Sequence, residues 1–571
     1  MEKLSMEKLS TEARLLIAFL LMGVVLFVTP MFFPQPPAKK DQGKTDAPKA
    51  DTAAPKQAEA IPLPATPTTG STPAAADIPG NVQAGQEEVF AIDTDLYHVE
   101  FSNRGAVVRS WVLKNFKDQQ LHMVDLVNQR ALARVNPPFS IAFKGQAPTP
   151  DPNTALYRVS HDDLSATFEY SDGRIAVKKS FRFDQKSYLV NISSQVTQNG
   201  APMPHGLAWR GGFGDSTVVN AATGQQAAYY DQSNSKLYTK LVKEAKDGPV
   251  SFSGQYSFAG LEDSFFAGVY LPEGRNVELT EFSDTIPDAA NKDEQRVGAA
   301  VGGEGLNSFV FFAGPKDYEL LHKINPKLDQ LIDWSWLGIS LEIVAKPISL
   351  VLNWTAQTVT HNYGWAIMLV TAGINMVLFP LKFSSMRSSR KMQSIQPLVT
   401  KLNEKYKGLP LKDPRQQEKN AELMELYKVH GINPLGGCLP MLLTLPFFVS
   451  FYKVLSVTIQ LRGAPWLWVH DLSQPETLAI RLLPLILAVT QFLQQKMTPS
   501  PGMDPSQQKM MMLMPLMLLY MFYFANAGLV LYWLTSNVVG IAQQWVLNRL
   551  SPPPAVAVVD TKSALKKKNR N

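Results

Sequence analysis

The 571-residue sequence has a single cysteine, Cys438. One cysteine cannot form a disulfide within the chain, nor can it build a cysteine metal cluster. The eight histidines are not paired at metal-ligand spacings, and there is no HExxH, GxSxG or P-loop pattern. These absences argue against the common metalloprotease, serine hydrolase and nucleotide-hydrolysing classes. We therefore predict that the protein is not an enzyme and that it needs no cofactor and no metal.

Charged residues are scarce inside the long apolar segments. No Lys or Asp is centred in any of them, and Lys453, which comes nearest, lies where its ammonium can reach the interface. A pump, an ion-coupled transporter or an intramembrane protease would place ionisable groups there. The inverted repeats or paired broken helices of a channel or transporter are also missing. A scaffold that assembles envelope proteins through an outer domain stays open.

Apolar runs long enough to cross a bilayer occur at both ends of the chain. Residues 15–33 carry no charge and are followed by Pro34 rather than by a small-x-small cleavage site. This favours an uncleaved transmembrane anchor within residues 1–33 over a signal peptide. Five further runs of spanning length lie at 363–381, 435–457, 478–495, 510–526 and 528–548.

A tether and a β-rich region separate the anchor from these runs. Residues 34–85 are rich in Pro, Ala, Thr and Lys, which predicts a disordered tether. Between 86 and 330, short runs such as 174–183, 187–196 and 309–312 are bounded by Gly, Asp and Asn. Apolar residues at every second position in such runs predict one large all-β sandwich.

Residues 336–354 form an apolar run that we interpret as an amphipathic helix. Glu342, Lys346 and Pro347 would each be costly at the centre of a bilayer. Trp336 and Trp354 flank the run, as is typical of membrane interfaces. We therefore predict a helix lying in the interface rather than another span.

Basic residues are concentrated in two segments. The loop 382–434 carries eleven basic and five acidic residues, and the tail 549–571 carries six basic residues and one acidic residue. The loop 458–477 has a net negative charge. Because positive loops stay in the cytoplasm, we predict that 382–434 and the tail are cytoplasmic and that the β-rich region is outside. Counting back through six spans places the N-terminus in the cytoplasm as well.

The basic loop contains two predicted helices, 384–407 and 414–430. Gly408 suits the end of the first helix, and Asp413 followed by Pro414 suits the start of the second. Two such helices form an antiparallel hairpin. Positive-inside charge explains much of the basic bias, so a solvated loop that only sets topology stays open beside a surface for protein or RNA.

Uncharged polar residues lie within the predicted spans. Thr371 and Asn375 are four residues apart and share one face of the span 363–381. Thr444 and Tyr532 belong to later spans. Hydrogen bonds between helices would account for lone threonines, whereas a buried carboxamide such as that of Asn375 is costly unless it is paired or hydrated. The span 510–526 is rich in methionine, which suits varied apolar partners, although ordinary lipid contact is the preferred explanation when this run is taken alone.

Four short strings now stand out together in the C-terminal third: Phe379-Pro380-Leu381, Asn433–Pro440 (NPLGGCLP), Trp468–Ser473 (WVHDLS) and Gly528–Trp533 (GLVLYW). With the anchor, tether, outer β domain and basic hairpin, the sequence resembles the YidC family of membrane protein insertases in its Gram-negative bacterial form. The resemblance covers nearly the whole chain and is most specific in 362–548.

The resemblance implies a polytopic α-helical protein of the bacterial cell inner membrane with a large periplasmic β-sandwich domain. Its five-span insertase core would be 363–548, with a cytoplasmic hairpin at 384–430. Such a protein acts as an insertase and chaperone that moves hydrophobic segments of nascent proteins into the lipid bilayer, alone or with the Sec translocon. It does so without consuming nucleotide, through a hydrated groove open to the cytoplasm. Ribosome and signal recognition pathway components are further implied partners.

The resemblance also implies roles for individual residues. The groove would be lined by Thr371, Asn375, Thr444 and Tyr532. The hydrophobic segment would slide along Met441, Leu445, Phe448, Met514, Met517 and Met521. Contacts of the hairpin and tail with partners would come from Arg387, Arg390, Lys391, Lys401, Lys405, Lys407, Lys566, Lys567 and Lys568.

One position departs from the family pattern. An arginine commonly stands five residues before the proline that ends the span 363–381, and counting back from Pro380 gives Asn375. No other Arg or Lys is central in a span. We therefore expect a groove that is polar but uncharged, in which Asn375 retains water through hydrogen bonding and without a charge.

Overall fold

A computed structural model describes twelve stretches of the chain: 80–118, 120, 122–217, 224–288, 291–336, 339–380, 382–383, 392, 394–406, 413–430, 439–497 and 505–550. The predicted anchor, most of the tether, the first part of the hairpin and the basic tail lie outside these residues. The chain divides into two compact units, one of Lys49–Asp333 with Val457–Ile459 and one of the remainder. Each unit is described by itself.

The first unit consists mainly of β-strands, and two short 3₁₀ segments, Ala131–Ala133 and Val242–Ala245, interrupt them. Its strands are β1 (Val89–Asp93), β2 (Tyr97–Ser102), β3 (Val107–Lys117), β4 (Met123–Asp125), β5 (Ser140–Phe143), β6 (Arg158–His161), β7 (Ser165–Ser171), β8 (Ile175–Phe183), β9 (Leu189–Gln198), β10 (Ala201–Pro202), β11 (His205–Trp209), β12 (Gln226–Asp231), β13 (Lys236–Lys240), β14 (Val250–Glu262), β15 (Phe266–Leu271), β16 (Asn276–Pro287), β17 (Asp293–Gly303) and β18 (Leu306–Pro315). Helix α1 (Tyr318–Ile324) and a 3₁₀ turn, Leu328–Leu331, follow.

The paired strands run antiparallel in two sheets. Strands β1 to β4 form a four-stranded sheet in sequential order. The main path of the fourteen-stranded sheet is β5-β11-β17-β16-β14-β15-β18-β9-β8-β7-β6. Strand β14 pairs with β16 through Val250–Gln255 and then with β12 and β15 through its second half, so it connects the two parts of the sheet. The predicted β-sandwich is confirmed.

Strands β8 and β9 show why these residues form a sheet. Ile175, Val177, Phe181 and Phe183 point into the core from β8, with polar residues between them. The turn before β8 depends on Asp172, whose Oδ1 accepts the backbone N–H of Ile175 at 2.6 Å. Alternating burial of this kind is what fixes the register of a strand. The strands predicted at 174–183 and 187–196 are therefore confirmed.

The last few residues of the predicted tether contact the β unit. Val82 forms an isolated antiparallel bridge with Ser171, and the backbone N–H of Ala84 donates to the Leu156 carbonyl at 3.0 Å. The last residues of the segment expected to be a tether are thus hydrogen-bonded to the sheet.

Lys179 stands on the buried face of β8. It is fully buried, and its ammonium donates to the carbonyls of Gly105, Ala106 and Phe139 at 2.8, 3.1 and 2.8 Å. Burial lowers the pKa of Lys179 to about 7. Ala106 and Phe139 have positive φ values of 51° and 65°, a conformation that residues with a Cβ seldom adopt. The three hydrogen bonds therefore stabilise two strained stretches of backbone.

The second unit is mostly helical. It contains the short strands β19 (Ser335–Trp336) and β20 (Ile339–Ser340) and a π-helical turn, Thr355–Thr360. The 3₁₀ turn Ile459–Leu461 begins in the first unit and ends in the second. Its helices are α2 (Glu342–Trp354), α3 (Tyr363–Val377), α4 (Gln396–Lys405), α5 (Arg415–Val429), α6 (Leu439–Val457), α7 (Leu482–Met497), α8 (Pro505–Phe522) and α9 (Ala527–Leu550). Within the described stretches, we find no helix with both the length and the apolar character needed to cross a membrane.

The helix predicted over 336–354 begins only at Glu342. The residues before it form the β19–β20 hairpin instead. Glu342 and Lys346 are one turn apart and form an ion pair of 2.7 Å, which neutralises both charges locally. Ile343 on this helix is 91% exposed, whereas Leu352 is buried, so apolar side chains occupy both of its faces.

Helices α4 and α5 pack side by side. The Lys405 ammonium lies 2.6 Å from Glu422 Oε1, and the Tyr406 hydroxyl donates to the same oxygen at 2.9 Å. Ile395, Val399 and Tyr427 form a small buried cluster between the helices. The described part of the hairpin is therefore helical, as predicted.

Helix α5 begins one residue later than the sequence suggests. The backbone N–H of Arg415 donates to Asp413 Oδ1 at 2.9 Å. Pro414, predicted as the first helical residue, therefore occupies the N-cap position, and Asp413, predicted as the N-cap, lies one residue earlier and accepts the first helical N–H.

Glu281 is the site of a predicted pH dependence in the first unit. Its side chain is buried and neither carboxyl oxygen has a hydrogen-bond partner among the described residues. Burial, helped by Glu244 and opposed by Lys240, raises the pKa of Glu281 from 4.5 to about 7. A raised carboxyl pKa stabilises the fold below the unfolded pKa, and this contribution is lost as the pH rises through the folded pKa. Stability should fall between pH 5 and 8.

Glu281→Gln should remove most of that pH slope, a change of about 1–3 kcal/mol across the interval. The measurement is hydrogen exchange of the β16 and β17 amides in the full chain at pH 5 to 8. Glu169→Gln is the matched control, because Glu169 is half-exposed and already paired with Arg158 at 2.7 Å. An unchanged slope in Glu281→Gln would contradict the assignment.

Candidate functional site: the polar cleft between α3 and α9

The first turn of α3 is held by the loop 462–476. Asn362 caps the helix, its Oδ1 accepting the backbone N–H of Gly364 at 2.9 Å, while its Nδ2 donates to the Pro465 carbonyl at 2.8 Å. Gly364 lies directly against the Trp466 indole, where any Cβ would overlap the ring. The helix is therefore fixed at this end by a cap and by a close backbone-to-ring contact.

The same loop holds the starts of α7 and α9. Glu476 is buried, and its two oxygens accept the Trp468 Nε1–H at 2.6 Å and the backbone N–H of Leu483 at 2.8 Å. The backbone N–H of Gly528 donates to the Leu472 carbonyl at 2.8 Å. The two strings WVHDLS and GLVLYW, which stood apart in the sequence, thus meet in one hydrogen-bonded structure.

Asn375 joins α3 to α9. Its Nδ2 donates to the Thr371 carbonyl at 2.8 Å and lies 3.5 Å from the Ser536 hydroxyl on α9. Its backbone carbonyl accepts from Gln543 Nε2 at 3.1 Å. Thr371 is 0% and Asn375 is 7% exposed, so both lie inside the helical unit. We call the region around Thr371, Asn375, Ser536 and Gln543 the polar cleft.

A cation reaches the polar cleft from beyond the end of α3. The Lys382 ammonium donates to Asn375 Oδ1 at 2.6 Å. The backbone N–H of Lys382 bonds to the Leu378 carbonyl at 3.1 Å, so the chain is still helical there and Lys382 lies two turns from Asn375 on the same face. A cation therefore lies beside Asn375, where the sequence predicted none. The four-carbon side chain of Lys382 reaches this position from the start of the basic loop.

Tyr532 approaches the polar cleft along α9. Its ring stacks on Phe451 with a centroid distance of 4.4 Å and an angle of 8°. Tyr532 precedes Ser536 by one helical turn, so it lies on the same side of α9 as the residue that contacts Asn375. Three of the four predicted groove residues, Thr371, Asn375 and Tyr532, are brought together in this way. Thr444 lies on α6, and its side chain is outside the described part of the structure.

A second polar contact joins α9 to α7. Asn537 Nδ2 donates to Gln491 Oε1 at 2.9 Å, and the Trp533 Nε1–H donates to the same oxygen at 3.3 Å. Thr490 accepts from Asn537 at a longer 3.4 Å. Polar residues on two faces of α9 therefore hold it between α3 and α7, as is common where helices pack through hydrogen bonds.

Several buried oxygens here have no hydrogen-bond partner within the described residues. In the polar cleft they are Thr371 Oγ1 and Gln543 Oε1, and elsewhere in the helical unit they are Ser450 Oγ and Gln544 Oε1. Buried hydroxyl and amide oxygens normally bind protein or water. A site lined by several such atoms has the polar partners that ordered water needs.

The residues predicted to guide a hydrophobic segment lie on α6 and α8. Leu445 and Met517 are 47% and 42% exposed, and Met514 and Met521 are half-buried. Phe448 instead packs against α9, with its ring 4.7 Å from that of Trp533. The Met441 side chain is outside the described residues.

Few of the predicted partner contacts can be placed. Lys401 and Lys405 are exposed on α4, although Lys405 is paired with Glu422. The other seven lie outside the described residues: Arg387, Arg390, Lys391, Lys407, Lys566, Lys567 and Lys568.

The sequence reasoning missed Lys382, Ser536 and Gln543. A helical repeat would have found them, because Lys382 is seven residues after Asn375 and Gln543 is seven after Ser536. Residues seven apart lie on nearly the same side of a helix. Ser536 likewise follows Tyr532 by four residues.

Gly364→Ala should displace the Trp466 indole and lower the stability of the helical unit by about 1–3 kcal/mol. Gly373→Ala on the same helix is the matched control, because a Cβ there meets no atom within 4 Å. That variant should be neutral or more stable by up to about 1 kcal/mol, since alanine favours helix over glycine. Thermal unfolding of both variants in detergent would measure the difference, and equal effects would contradict the proposed contact.

Comparison with known proteins places the two units in one family. Residues 354–553 match the family described as 60Kd inner membrane protein, and residues 89–351 match the YidC periplasmic domain. The membrane protein insertase YidC of Geotalea uraniireducens is 31% identical over 559 residues, which cover 95% of this chain and 100% of that protein. The protein of the same name from Ralstonia nicotianae is 31% identical over 546 residues, covering 91% and 92%.

A crystal structure described as an active YidC insertase is 17% identical and covers 82% of this chain and 94% of its own, with a TM-score of 0.34. The assignment rests on the sequence relatives, which match this chain over nearly their whole length. The chain therefore belongs to the YidC family of membrane protein insertases, bacterial inner-membrane proteins with a periplasmic domain.

Proposed function

We propose that this chain inserts hydrophobic segments of nascent proteins through the polar cleft, which acts as a hydrated groove open to the cytoplasm. The observation that supports this is a pair of buried oxygens beside Asn375, Thr371 Oγ1 and Gln543 Oε1, that have no hydrogen-bond partner among the described residues. A polar segment that enters hydrocarbon loses its hydrogen bonds to water, which costs several kcal/mol per group. A wet cleft replaces part of that water and shortens the apolar path.

The proposed topology follows the charge distribution. Residues 1–33 and the helices α3, α6, α7, α8 and α9 serve as the spans, with α2 in the membrane interface. The basic loop 382–434 and the tail stay in the cytoplasm with both termini, and the β unit is periplasmic. The polar cleft then lies toward the cytoplasmic half of α3, where a segment leaving the ribosome would enter.

The exposed apolar side chains of α6 and α8 would guide the hydrophobic part of the substrate. Leu445 and Met517 are the best placed of the predicted guiding residues because they are the most exposed. Flexible methionines accept substrates of varied shape. The hydrophobic segment would contact α6 and α8 on one side and lipid on the other. It would therefore leave sideways into the bilayer.

Partners are proposed on the basis of the family and the charge. The exposed Lys401 and the other basic residues of the hairpin and tail would contact the ribosome or components of the signal recognition pathway. The chain would also act as a chaperone. Together with the Sec translocon, it would use the same groove for larger substrates.

Removing a single hydroxyl tests the wet cleft. Thr371→Val should slow insertion of a small single-span protein into liposomes by about 3- to 10-fold, because one hydrogen bond contributes about 0.5–1.5 kcal/mol. Its melting temperature should be unchanged, since Thr371 Oγ1 bonds to no described protein group. Asn375→Ala should reduce insertion at least as much.

Thr535→Val is the matched control. Thr535 is also buried, but its hydroxyl donates to the Leu531 carbonyl of its own helix at 2.7 Å. It should leave the insertion rate unchanged. The groove proposal fails if Asn375→Ala leaves insertion of every single-span substrate unchanged. Deleting residues 90–320 separates an insertase from a scaffold, because only a scaffold should lose activity with the β unit.

A further inference from the structure

Leu467, in the loop 462–476, combines an unfavourable conformation with an exposed side chain. Its φ is 48°, in the left-handed region, and the residue is 63% exposed. A left-handed conformation is strained for a residue with a bulky side chain. An exposed leucine also gains nothing from the hydrophobic effect. Two costs at one residue indicate a role outside the packing of the helical unit.

The other described residues with positive φ, glycines aside, have a local explanation. Ala106 and Phe139 are buried, and their carbonyls accept hydrogen bonds from Lys179. The remaining five are polar and exposed: Asn199, Ser235, Glu273, Asn291 and His361. Within the described stretches, Leu467 is therefore the one exposed apolar residue in this conformation.

The turn that carries Leu467 stands on a rigid base. Trp466 and Val469 exchange two backbone hydrogen bonds of 2.8 Å, and both side chains are buried. The indole of Trp468 is fixed by its hydrogen bond to Glu476. These contacts close a two-residue loop, so Leu467 is held in its strained conformation with its side chain exposed.

We propose that Leu467 inserts into the lipid at the outer boundary of the bilayer and sets the depth of the helical unit. This inference rests on the proposed function and its topology, which place the starts of α3, α7 and α9 at that boundary. The loop 462–476 binds all three starts and so lies at the same level. Trp365 is 46% exposed, with its ring 5.6 Å from that of Trp466, and tryptophan is enriched at such boundaries.

The chemistry of the loop favours lipid over a protein partner. The exposed apolar tip is one residue beside the half-buried Trp468, whereas a stable protein interface buries about 800 Å² on each side. Residues 458–477 carry one basic and two acidic residues, so attraction to lipid phosphates does not hold the loop at the surface. An apolar side chain that enters the acyl boundary supplies the attachment instead.

An anchor at this end fixes the level of the polar cleft. Asn362 and Gly364 tie the start of α3 to the loop. Asn375 lies twelve residues after Tyr363, which is about 18 Å along a helix. The hydrocarbon core is about 30 Å thick, so the cleft lies just beyond its middle, in the cytoplasmic half. Without the anchor, the helices would shift along the bilayer normal and the cleft would lose this position.

The single cysteine of the chain makes the depth of Leu467 measurable. Leu467→Cys in a Cys438→Ser background takes one nitroxide label in the full chain, reconstituted in liposomes. Electron paramagnetic resonance should find this label about threefold more accessible to oxygen than to a water-soluble nickel chelate, because oxygen concentrates among the acyl chains. His470→Cys in the same background is the matched control. His470 is exposed on the same loop, and its label should favour the nickel chelate.

Substitution of Leu467 separates anchoring from folding. Asparagine suits the left-handed conformation better than leucine, so Leu467→Asn in detergent should melt at the temperature of the unmodified chain or higher. In liposomes it should slow insertion of a single-span substrate about 2- to 5-fold, and more in thick bilayers than in thin ones, because the depth of the cleft is no longer fixed. Leu467→Met should retain the rate of the unmodified chain.

Three results would overturn the inference. Equal access of the nickel chelate to both labels would place the turn in water. A label at Leu467 that neither reagent reaches would show that protein covers the turn. Insertion by Leu467→Asn at the unmodified rate in bilayers of every thickness would rule out control of depth.

The label measurement needs no substrate, so the two proposals fail separately. If the unmodified chain inserts nothing, the proposed function fails, while the label still reports whether Leu467 lies in lipid. If the unmodified chain inserts its substrate but the label lies in water, only this inference fails.

Discussion

The Asn375 carboxamide is the interaction on which the polar cleft depends. It bonds to its own helix through the Thr371 carbonyl, to α9 through Ser536, and to the Lys382 ammonium. A carboxamide can serve donors and acceptors at once, so one side chain ties two helices and orients a charge. A hydrophobic residue there would leave the cation without a partner, and an arginine would exclude it by repulsion.

The loop 462–476 fixes the other end of the same helices. It holds Asn362, the cap of α3, through the Pro465 carbonyl, packs Trp466 on Gly364, and binds the starts of α7 and α9 through Glu476 and Leu472. With one end of the bundle held by backbone contacts, the polar side chains farther along α3 and α9 are left to face each other. Their spare hydrogen-bonding capacity is what a substrate's polar flank would use.

Some features could be read directly from residue order. The β-sandwich follows from alternating apolar residues in strands such as β8, and the start of α5 follows, to within one residue, from Asp413 before Pro414. The pairing of Thr371 with Asn375 on one face follows from their spacing. The start of α2 could not be read in the same way, because the apolar run 336–354 gives no sign that its first residues form the β19–β20 hairpin.

Family membership and the shared face of Thr371 and Asn375 were thus determined by the sequence itself, since motifs and helical spacing are local properties. The charge of the cleft was decided only by tertiary structure. Lys382 belongs to a basic loop when residues are counted along the chain, yet its flexible side chain folds back to Asn375. Likewise, Ser536 and Gln543 gain their role only because α9 packs against α3. Contacts between residues 160 positions apart or more depend on how helices pack, and no local pattern specifies that.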